Sequence, residues 1–189
     1  ISIIFNIIAD TISRLLQNSR QMLPLWKNLH PLTNKLNSFG KEPVFVQLWF
    51  LPAWVLLGIS KLMIRLVTFR RLAPHLGLHN GAVSLTPLLD HKDEYRARQI
   101  SRAIRMAAAY TPWDSNCFPQ ALVARCLLGL YRIPYALHFG LIRQAEGSSL
   151  EAHAWIVAGS INVTGGSCFE TYTVVGTFLS PQLHDLIER

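Results

Sequence analysis

The chain has 189 residues, a length typical of one domain with a short appended segment. Half of the residues are apolar and only 15% are charged, which argues against a disordered chain. The formal net charge of +7 favours acidic partners without choosing among peptides, membrane surfaces and nucleic acid. Three cysteines without metal-ligand spacing argue against a disulfide scaffold or a metal site and favour a reducing compartment.

Two helical segments are predicted before the main domain. Residues 1–42 combine an amphipathic pattern, "ISIIFNIIADTISRLL", with a polar connector, and predict a helical extension. Residues 43–80 form an apolar and basic segment, which is at the lower length limit for a bilayer span and which we expect Pro52 to interrupt. Three interpretations stay open: helices packed on the domain or a partner, a membrane-surface anchor, and a true span.

Residues 81–189 predict the main domain. A helix is expected from about Lys92 to Ala109, with a basic face of Arg98, Arg102 and Arg105 that is either solvated or a contact surface for an acidic peptide. The next helix lies in "CFPQALVARCLLGLYRI", and "YALHFGLIRQ", "AHAWIVA", "INVTG" and "TYTVVGTF" read as strands. This order of helices and strands predicts an α+β fold, with a central helix packed on a small antiparallel sheet.

The central helix places one cysteine at its start. With Asn116 as the N-cap, Cys117 is the first helical residue, and Pro119 is tolerated because first-turn amides have no intrahelical acceptor. The positive end of the helix dipole favours a thiolate, the form that acts as a nucleophile. His153, opening a later strand, is positioned to act as its base. Cys126 lies among leucines and is expected in the core.

These residues resemble a known family. "NCFPQALVARCLLGLYRIPYALHFGLIRQ", "EAHAWIVAGSINVTGG" and "YTVVGTF" are similar to the transglutaminase-like leader peptidases of lasso-peptide biosynthesis, in the stand-alone form without a leader-binding domain. The resemblance covers about Leu51 to Ser180, and leaves residues 1–42 unassigned. It implies a papain/transglutaminase-like fold and a cysteine peptidase with Cys117 as nucleophile and His153 as general base.

The resemblance also implies partners. A leader peptidase cleaves a ribosomally made precursor peptide, which a small leader-binding protein presents, and an ATP-dependent cyclase then closes the macrolactam ring. It implies a cytoplasmic protein without a nucleic-acid partner, and we expect no cofactor because no phosphate-binding glycine loop is present. Peripheral membrane contact through residues 43–71 stays open. The alternative functions are a transglutaminase-like acyl transferase and an inactive membrane-associated scaffold.

The third catalytic position departs from the family pattern. The family has an aspartate on the strand after the histidine, but a three-residue turn after Val157 would place Gly165 opposite His153, and a two-residue turn would place Gly166 there. Three alternatives remain. A backbone carbonyl, a water or Thr164 orients the histidine; an acid from elsewhere, with Glu170 nearest, folds back to it; or activity is lost.

Three further side chains have two interpretations each. Trp113 and Trp155 flank the pair in sequence and are predicted either to line the substrate groove or to be structural. His138 lies in a strand and is expected to be a hydrogen-bonded core or surface histidine.

Overall fold

A computed structural model describes residues 39–143, 150–166 and 171–183. The chain divides into two compact units, Ile1–Lys41 and Glu42–Arg189. Residues 1–38 of the expected helical extension lie outside the described residues, as do Cys168 and Glu170. The second unit contains the helical segment from residue 43 as well as the main domain.

The second unit has helices before and between the strands of one sheet. The strands are all antiparallel and run in the order β1-β5-β2-β3-β4. The predicted α+β fold is therefore confirmed. The elements are α1 (Val44–Leu66), α2 (Phe69–Leu72), a 3-10 turn (Ala73–His75), β1 (Leu78–His79), α3 (His91–Ala109), α4 (Cys117–Leu130), β2 (Ala136–Arg143), β3 (Leu150–Ala158), β4 (Ile161–Thr164) and β5 (Thr173–Leu179).

Helix α1 is one continuous helix that packs on the rest of the unit. The expected interruption at Pro52 was wrong: this proline is exposed, so the hydrogen bond that it removes is lost on the outer side of the helix. Ala53 and Leu57 are buried on the inner side, and Trp49 Nε1 donates to the hydroxyl of Tyr131 at 2.8 Å. By length and composition alone α1 could also cross a membrane, and 22% of its most apolar window is buried.

The sheet has a core on each face. Along β3, Ala154 and Ile156 belong to the larger core, whereas Trp155 and Val157 belong to the smaller one, as the alternation of a strand requires. The larger core also contains the buried stripes of α3 and α4, including Ile104. The helices therefore cover the face of the sheet that carries Ala154.

The turn between β3 and β4 sets the register beside His153. Ala158 pairs with Ile161, so the turn is the two-residue one, and Gly159 has a φ of +62°. The Ser160 amide donates to Glu94 Oε1 at 3.1 Å, and this hydrogen bond holds the pKa of Glu94 below its ordinary value. A β-bulge then shifts the ladder so that Ile156 faces Thr164.

Helix α4 starts where the sequence predicted. Asn116 is the N-cap residue and Cys117 the first residue of the helix, although the Asn116 side chain makes no capping hydrogen bond. The prediction that Cys126 lies in the core was wrong, because this thiol is exposed. It shares the outer side of α4 with Gly129 and Leu130, so the helix is buried on one side rather than all round.

Candidate active site

Hydrogen bonds hold the loop that leads into Cys117. The Thr111 hydroxyl lies 2.9 Å from the Trp113 carbonyl oxygen and 2.9 Å from the Ser115 hydroxyl oxygen. Gln120 Nε2 donates to the Ser115 carbonyl at 2.7 Å, tying the first turn of α4 back to the loop. Lys61 Nζ of α1 donates to the carbonyl of Asp114 at 3.0 Å. These contacts position the partly exposed Cys117 at the helix start, beside first-turn amides without intrahelical acceptors.

His153 lies at the open edge of β3. The edge strand β4 ends at Thr164, opposite Ile156, so the ladder between β3 and β4 does not reach His153. The chain continues as a turn through Gly165, whose carbonyl oxygen lies 2.8 Å from His153 Nε2. The ring also stacks on Tyr172, with centroids 4.9 Å apart, and on Trp155, with centroids 5.8 Å apart. The imidazole is thus held by one hydrogen bond and two aromatic rings.

The bond to Gly165 assigns a hydrogen to one of the two ring nitrogens of His153. A backbone carbonyl oxygen can only accept a hydrogen bond, so Nε2 of His153 carries the hydrogen. In a neutral imidazole the other nitrogen, Nδ1, then has a free lone pair. Of the orienting groups that the sequence left open, the backbone carbonyl contacts His153 among the described residues, and Glu170 lies outside them. The contact with the carbonyl leaves Nδ1 available as a proton acceptor.

Cys117 and His153 lie on two elements that pack together, α4 and β3, without a bond between the two side chains. Helix α4 packs on the face of β3 that carries Ala154, and by alternation the His153 side chain starts from the other face. Among the hydrogen bonds of the described ranges, none joins the Cys117 sulfur to the imidazole. The imidazole would have to reach round the open edge of β3 to take the proton. Catalytic hydrogen bonds are often long before substrate binds.

Only glycine fits at position 165. Its φ of +96° lies in the left-handed region, and a Cβ atom there would be 2.3 Å from Trp155 Cβ and 3.2 Å from His153 Nε2. From the sequence, the aspartate of the family pattern is expected at or beside Gly165, where this chain has no acid. The structure gives the physical reason for its absence, because no side chain can be accommodated where the Gly165 carbonyl contacts His153.

Thr164 does not orient the histidine in the described structure. The β-bulge puts Thr164 opposite Ile156, on the face of β3 turned away from the His153 side chain, and its buried hydroxyl has no hydrogen-bond partner in the residues described. Glu170 lies outside the described residues. Thr164 lines a cleft of about 390 Å³ together with Arg105, Gln120 and the end of the hairpin.

The two tryptophans of the sequence prediction have different environments. Trp155 is only 3% exposed and belongs to the smaller core, so it supports His153 and offers little surface to a substrate. Trp113 is partly exposed, packs on Trp54 with ring centroids 5.0 Å apart, and has a buried indole N–H that makes no hydrogen bond within the described ranges. Burial therefore favours the structural interpretation for Trp155. For Trp113, both a structural role and a place in the substrate groove remain open.

Two residues of the site were missed in the sequence. Tyr172 stacks on His153 and donates its hydroxyl hydrogen to Glu151 Oε1 at 2.8 Å. Gly140 faces His153 across the ladder, and a Cβ there would be 2.7 Å from Tyr172 Cβ and 2.8 Å from the Trp155 ring. A glycine inside an otherwise bulky strand, as in "LHFGLIR", is the signal that could have indicated this close packing.

His138 is structural, as expected. It is 1% exposed, Nδ1 lies 2.9 Å from the Thr177 hydroxyl oxygen, and Nε2 lies 3.0 Å from the Leu85 carbonyl oxygen. Burial lowers the pKa of His138 below its ordinary value, and the hydrogen bond to Leu85 opposes this shift. Within the described part of the chain, no group of three His, Cys, Asp or Glu residues is arranged to hold a metal ion.

Comparison with known proteins places these elements in a superfamily. Residues 63–177 match the transglutaminase-like superfamily, which includes cysteine peptidases and acyltransferases. No curated protein and no solved structure matches the chain. The matched region contains the cysteine helix, the histidine strand and the sheet that joins them. Because the match extends over more than half of the residues and agrees with this arrangement, the chain belongs to the transglutaminase-like superfamily.

Proposed function

We propose that this protein is a thiol peptidase that removes the leader from a ribosomally made precursor peptide during lasso-peptide maturation. The superfamily match supports cysteine-dependent acyl chemistry, and the sequence resemblance supports the leader-peptidase role. The observation that carries the proposal is the 2.8 Å contact between His153 Nε2 and the Gly165 carbonyl oxygen. It leaves Nδ1 of a neutral imidazole free to accept a proton, and Cys117 begins the adjacent helix.

Each step of this reaction uses Cys117 and His153. Nδ1 takes the thiol proton, and the thiolate attacks the carbonyl carbon of the scissile amide. The carbon–nitrogen bond then breaks, Nδ1–H protonates the departing amine, and a thioester to Cys117 remains. A water molecule gives a proton to Nδ1 and attacks the thioester carbon. The carbon–sulfur bond breaks, the carboxylic acid is released, and Nδ1–H returns its proton to the Cys117 thiolate. An oxyanion forms when the thiolate attacks the amide and again when water attacks the thioester. First-turn amides of α4 would donate hydrogen bonds to it.

The carbonyl of Gly165 is a weaker partner for the histidine than a carboxylate. Both hold the ring orientation and the tautomer, but a neutral carbonyl stabilises an imidazolium less than a negative charge does. We therefore expect a working dyad that is slower than a triad with an acid. The packing of His153 on Tyr172 and Trp155 supplies part of the orientation that the acid would give.

The proposed partners are those that this role requires. The substrate is a precursor peptide, a small leader-binding protein presents it, and an ATP-dependent cyclase uses the freed amine to form the macrolactam. We place this chemistry in the cytoplasm, where a reduced thiol is maintained. The +7 charge suits an acidic peptide partner.

The proposal is tested with a lasso-precursor peptide that carries its leader. The full chain, Cys117→Ala and His153→Gln are incubated with that peptide, with and without a leader-binding protein, and products are resolved by mass spectrometry. We expect two fragments from the wild-type chain and neither from the variants, while circular dichroism stays unchanged. Normal cleavage by either variant would refute the proposal.

Thiol labelling needs a second substitution because Cys126 is exposed. In a Cys126→Ser background, iodoacetamide modification of Cys117 is followed by peptide mapping across a pH series. A reactive thiolate predicts labelling of Cys117 below the pH at which a free thiol reacts. If His153→Gln gave the same dependence of Cys117 labelling on pH, the histidine would not be what activates Cys117.

Acyl transfer by the same pair is the alternative enzyme class. The thioester to Cys117 could be attacked by an amine rather than by water, since both resolve it by the same tetrahedral route. Adding glycine methyl ester to the cleavage assay separates the two. A peptidase gives two free fragments, whereas an acyl transferase gives a mass adduct on the fragment that carries the new carboxyl end.

The outer side of α1 supports membrane association as a second candidate function. Large apolar side chains recur there every three or four residues, and Val44, Leu48 and Leu66 are 79%, 69% and 72% exposed. The helix contains no acidic residue, and Arg70 and Arg71 come after its end. Such a stripe with basic residues at its end suits the surface of an anionic bilayer.

This second candidate has a direct test. Full-length protein is sedimented with phosphatidylcholine vesicles with and without phosphatidylglycerol. We expect binding that needs the anionic lipid and that Leu48→Gln abolishes, whereas Arg98→Gln, on α3 rather than on the outer side of α1, retains it. Equal sedimentation of wild type and Leu48→Gln would reject the membrane contact. Retained peptide cleavage by Leu48→Gln would show that anchoring and catalysis are separate.

A further inference from the structure

A cleft that includes residues next to Cys117 and His153 carries several polar groups in its lining. It has a volume of about 390 Å³ and is lined by Arg105 of α3, Gln120 of α4 and residues 162–166 at the end of the hairpin. Gln120 lies one turn after Cys117, and Gly165 contacts His153. A peptide that presents its carbonyl to Cys117 would therefore place a neighbouring residue in or beside this cleft.

The floor of the cleft contains an unpaired hydroxyl. Thr164 is 3% exposed, and its Oγ1 atom is buried with no hydrogen-bond partner in the residues described. Comparable buried hydroxyls are paired: Ser101 Oγ donates to the Val163 carbonyl at 2.7 Å, and Thr177 Oγ1 donates to the Val83 carbonyl at 2.7 Å. An unpaired buried hydroxyl is unfavourable, and a ligand atom in the cleft would satisfy it once the Thr164 side chain turns toward the cleft.

The wall of the cleft carries a positive charge. Arg102, one turn before Arg105 on α3, is paired with Glu42, its Nη2 donating to Glu42 Oε1 at 2.9 Å. No ion pair within residues 39–143, 150–166 and 171–183 includes Arg105, and none of the carboxylates in these ranges lines the cleft. Gln120 adds an amide whose Nε2 is already held by Ser115. The lining therefore offers a cationic donor and a hydroxyl donor to one ligand.

We propose that this cleft binds an acidic side chain of the peptide substrate close to the bond that is cleaved, with Arg105 and Thr164 as its specificity-determining residues. The inference rests on the proposed function, since it takes the ligand to be a peptide. A carboxylate accepts from a guanidinium and a hydroxyl at once, in charge-assisted hydrogen bonds that a neutral amide side chain forms less strongly. The substrate class is thus a peptide with Asp or Glu next to the scissile bond.

The test measures binding without turnover. Full-length Cys117→Ala protein is titrated into fluorescein-labelled Ala-Ala-Glu-Ala-Ala-amide and its Gln counterpart, and fluorescence polarisation is read at several salt concentrations. We expect the Glu peptide to bind about tenfold or more tightly than the Gln peptide. Arg105→Gln should abolish this preference, and Thr164→Val, which keeps the side-chain shape, should reduce it.

A matched arginine separates the cleft from the general charge of the protein. Arg98 is exposed two turns before Arg105 on the same helix and does not line the cleft, so Arg98→Gln removes the same charge elsewhere. We expect the Glu preference to survive in Arg98→Gln. Equal binding of the two peptides, equal losses in Arg98→Gln and Arg105→Gln, or no binding of either peptide would each overturn the inference.

The two proposals fail in distinguishable ways. If wild-type protein cleaves no precursor but Cys117→Ala still prefers the Glu peptide through Arg105, the binding site stands without the peptidase. If cleavage occurs and depends on Cys117 while Arg105→Gln leaves the preference for Glu unchanged, the peptidase stands and the acidic specificity does not.

Discussion

Replacing Gly165 with alanine tests the geometry that holds His153. The new Cβ would be 2.3 Å from Trp155 Cβ and 3.0 Å from its Cα, and it would adopt a φ of +96°. A non-glycine residue in the left-handed region costs about 1–2 kcal/mol. Forcing a methyl group into packed atoms costs about 1–3 kcal/mol more. We therefore expect Gly165→Ala to lower the free energy of unfolding by about 2–5 kcal/mol.

Gly166 provides the matched control. Its φ of +69° is also in the left-handed region, but a Cβ there would meet nothing within 4 Å. Gly166→Ala should cost only the conformational part, about 1–2 kcal/mol. Urea denaturation followed by tryptophan fluorescence measures both variants, with stability taken from the midpoint and slope of each transition. Equal destabilisation of the two variants would refute the steric account of Gly165.

The same pair of variants also tests the site. Relief of the clash at Gly165 must move the carbonyl away from His153, so we expect precursor cleavage by Gly165→Ala to fall about tenfold or more, with a smaller loss in Gly166→Ala. Gly165→Asp would add the carboxylate that the family pattern calls for, but it carries the same Cβ. We expect it to behave like Gly165→Ala, and faster cleavage would show that the site can admit an acid.

Three further substitutions test other parts of the structure. Leu57→Ala leaves a cavity at a fully buried position and should lower the free energy of unfolding by about 2–5 kcal/mol. Ile59→Ala, on the exposed side of the same helix, should change it by less than about 0.5 kcal/mol. Equal effects of the two substitutions would contradict the packing of α1. Thr164→Val removes an unpaired hydroxyl and should leave the urea midpoint unchanged or raised; a clear loss would mean that the hydroxyl has a partner. Burial lowers the pKa of His138 below its ordinary value of 6.5, so the unfolded chain binds more protons and stability should fall as pH drops below that value. His138→Gln should flatten this acid dependence in pH-resolved urea titrations, and an unchanged slope would assign it to other groups.

The local chemistry of the sequence was enough to place the main elements. Alternation of apolar and polar residues indicated the strands, and glycine and polar residues indicated the turns between them. Asn116 and Pro119 located the first residue of the cysteine helix. These signals depend on interactions between neighbours in the chain, so they survive without knowledge of the fold. The hairpin placed the missing acid at or beside Gly165, but the two-residue turn of the structure would put Gly166 opposite His153, and a bulge that the sequence did not predict shifts the ladder.

The errors arose where a residue depends on distant parts of the chain. Cys126 was assigned to the core because leucines surround it in sequence, but which side of α4 meets the sheet is a tertiary property. Pro52 was expected to end α1, yet the helix continues because its inner side packs on α3 and α4 and the proline lies outside. Stacking of Tyr172 on His153 depends on the pairing of β2 with β5, which no local pattern reveals.

For the stretch from Glu151 to Gly166, sequence determined the strand, the presence of a short turn and the absence of an acid, whereas the length of the turn came from the structure. Only the tertiary structure decided what replaces that acid. A bulge moves Thr164 to the helix side of the sheet, and the Gly165 carbonyl takes the place beside the imidazole. Hydrogen-bond direction then assigns the proton to Nε2, because a carbonyl only accepts. Side-chain identity is a property of sequence, whereas the direction of a backbone carbonyl is set by register, bulges and close packing.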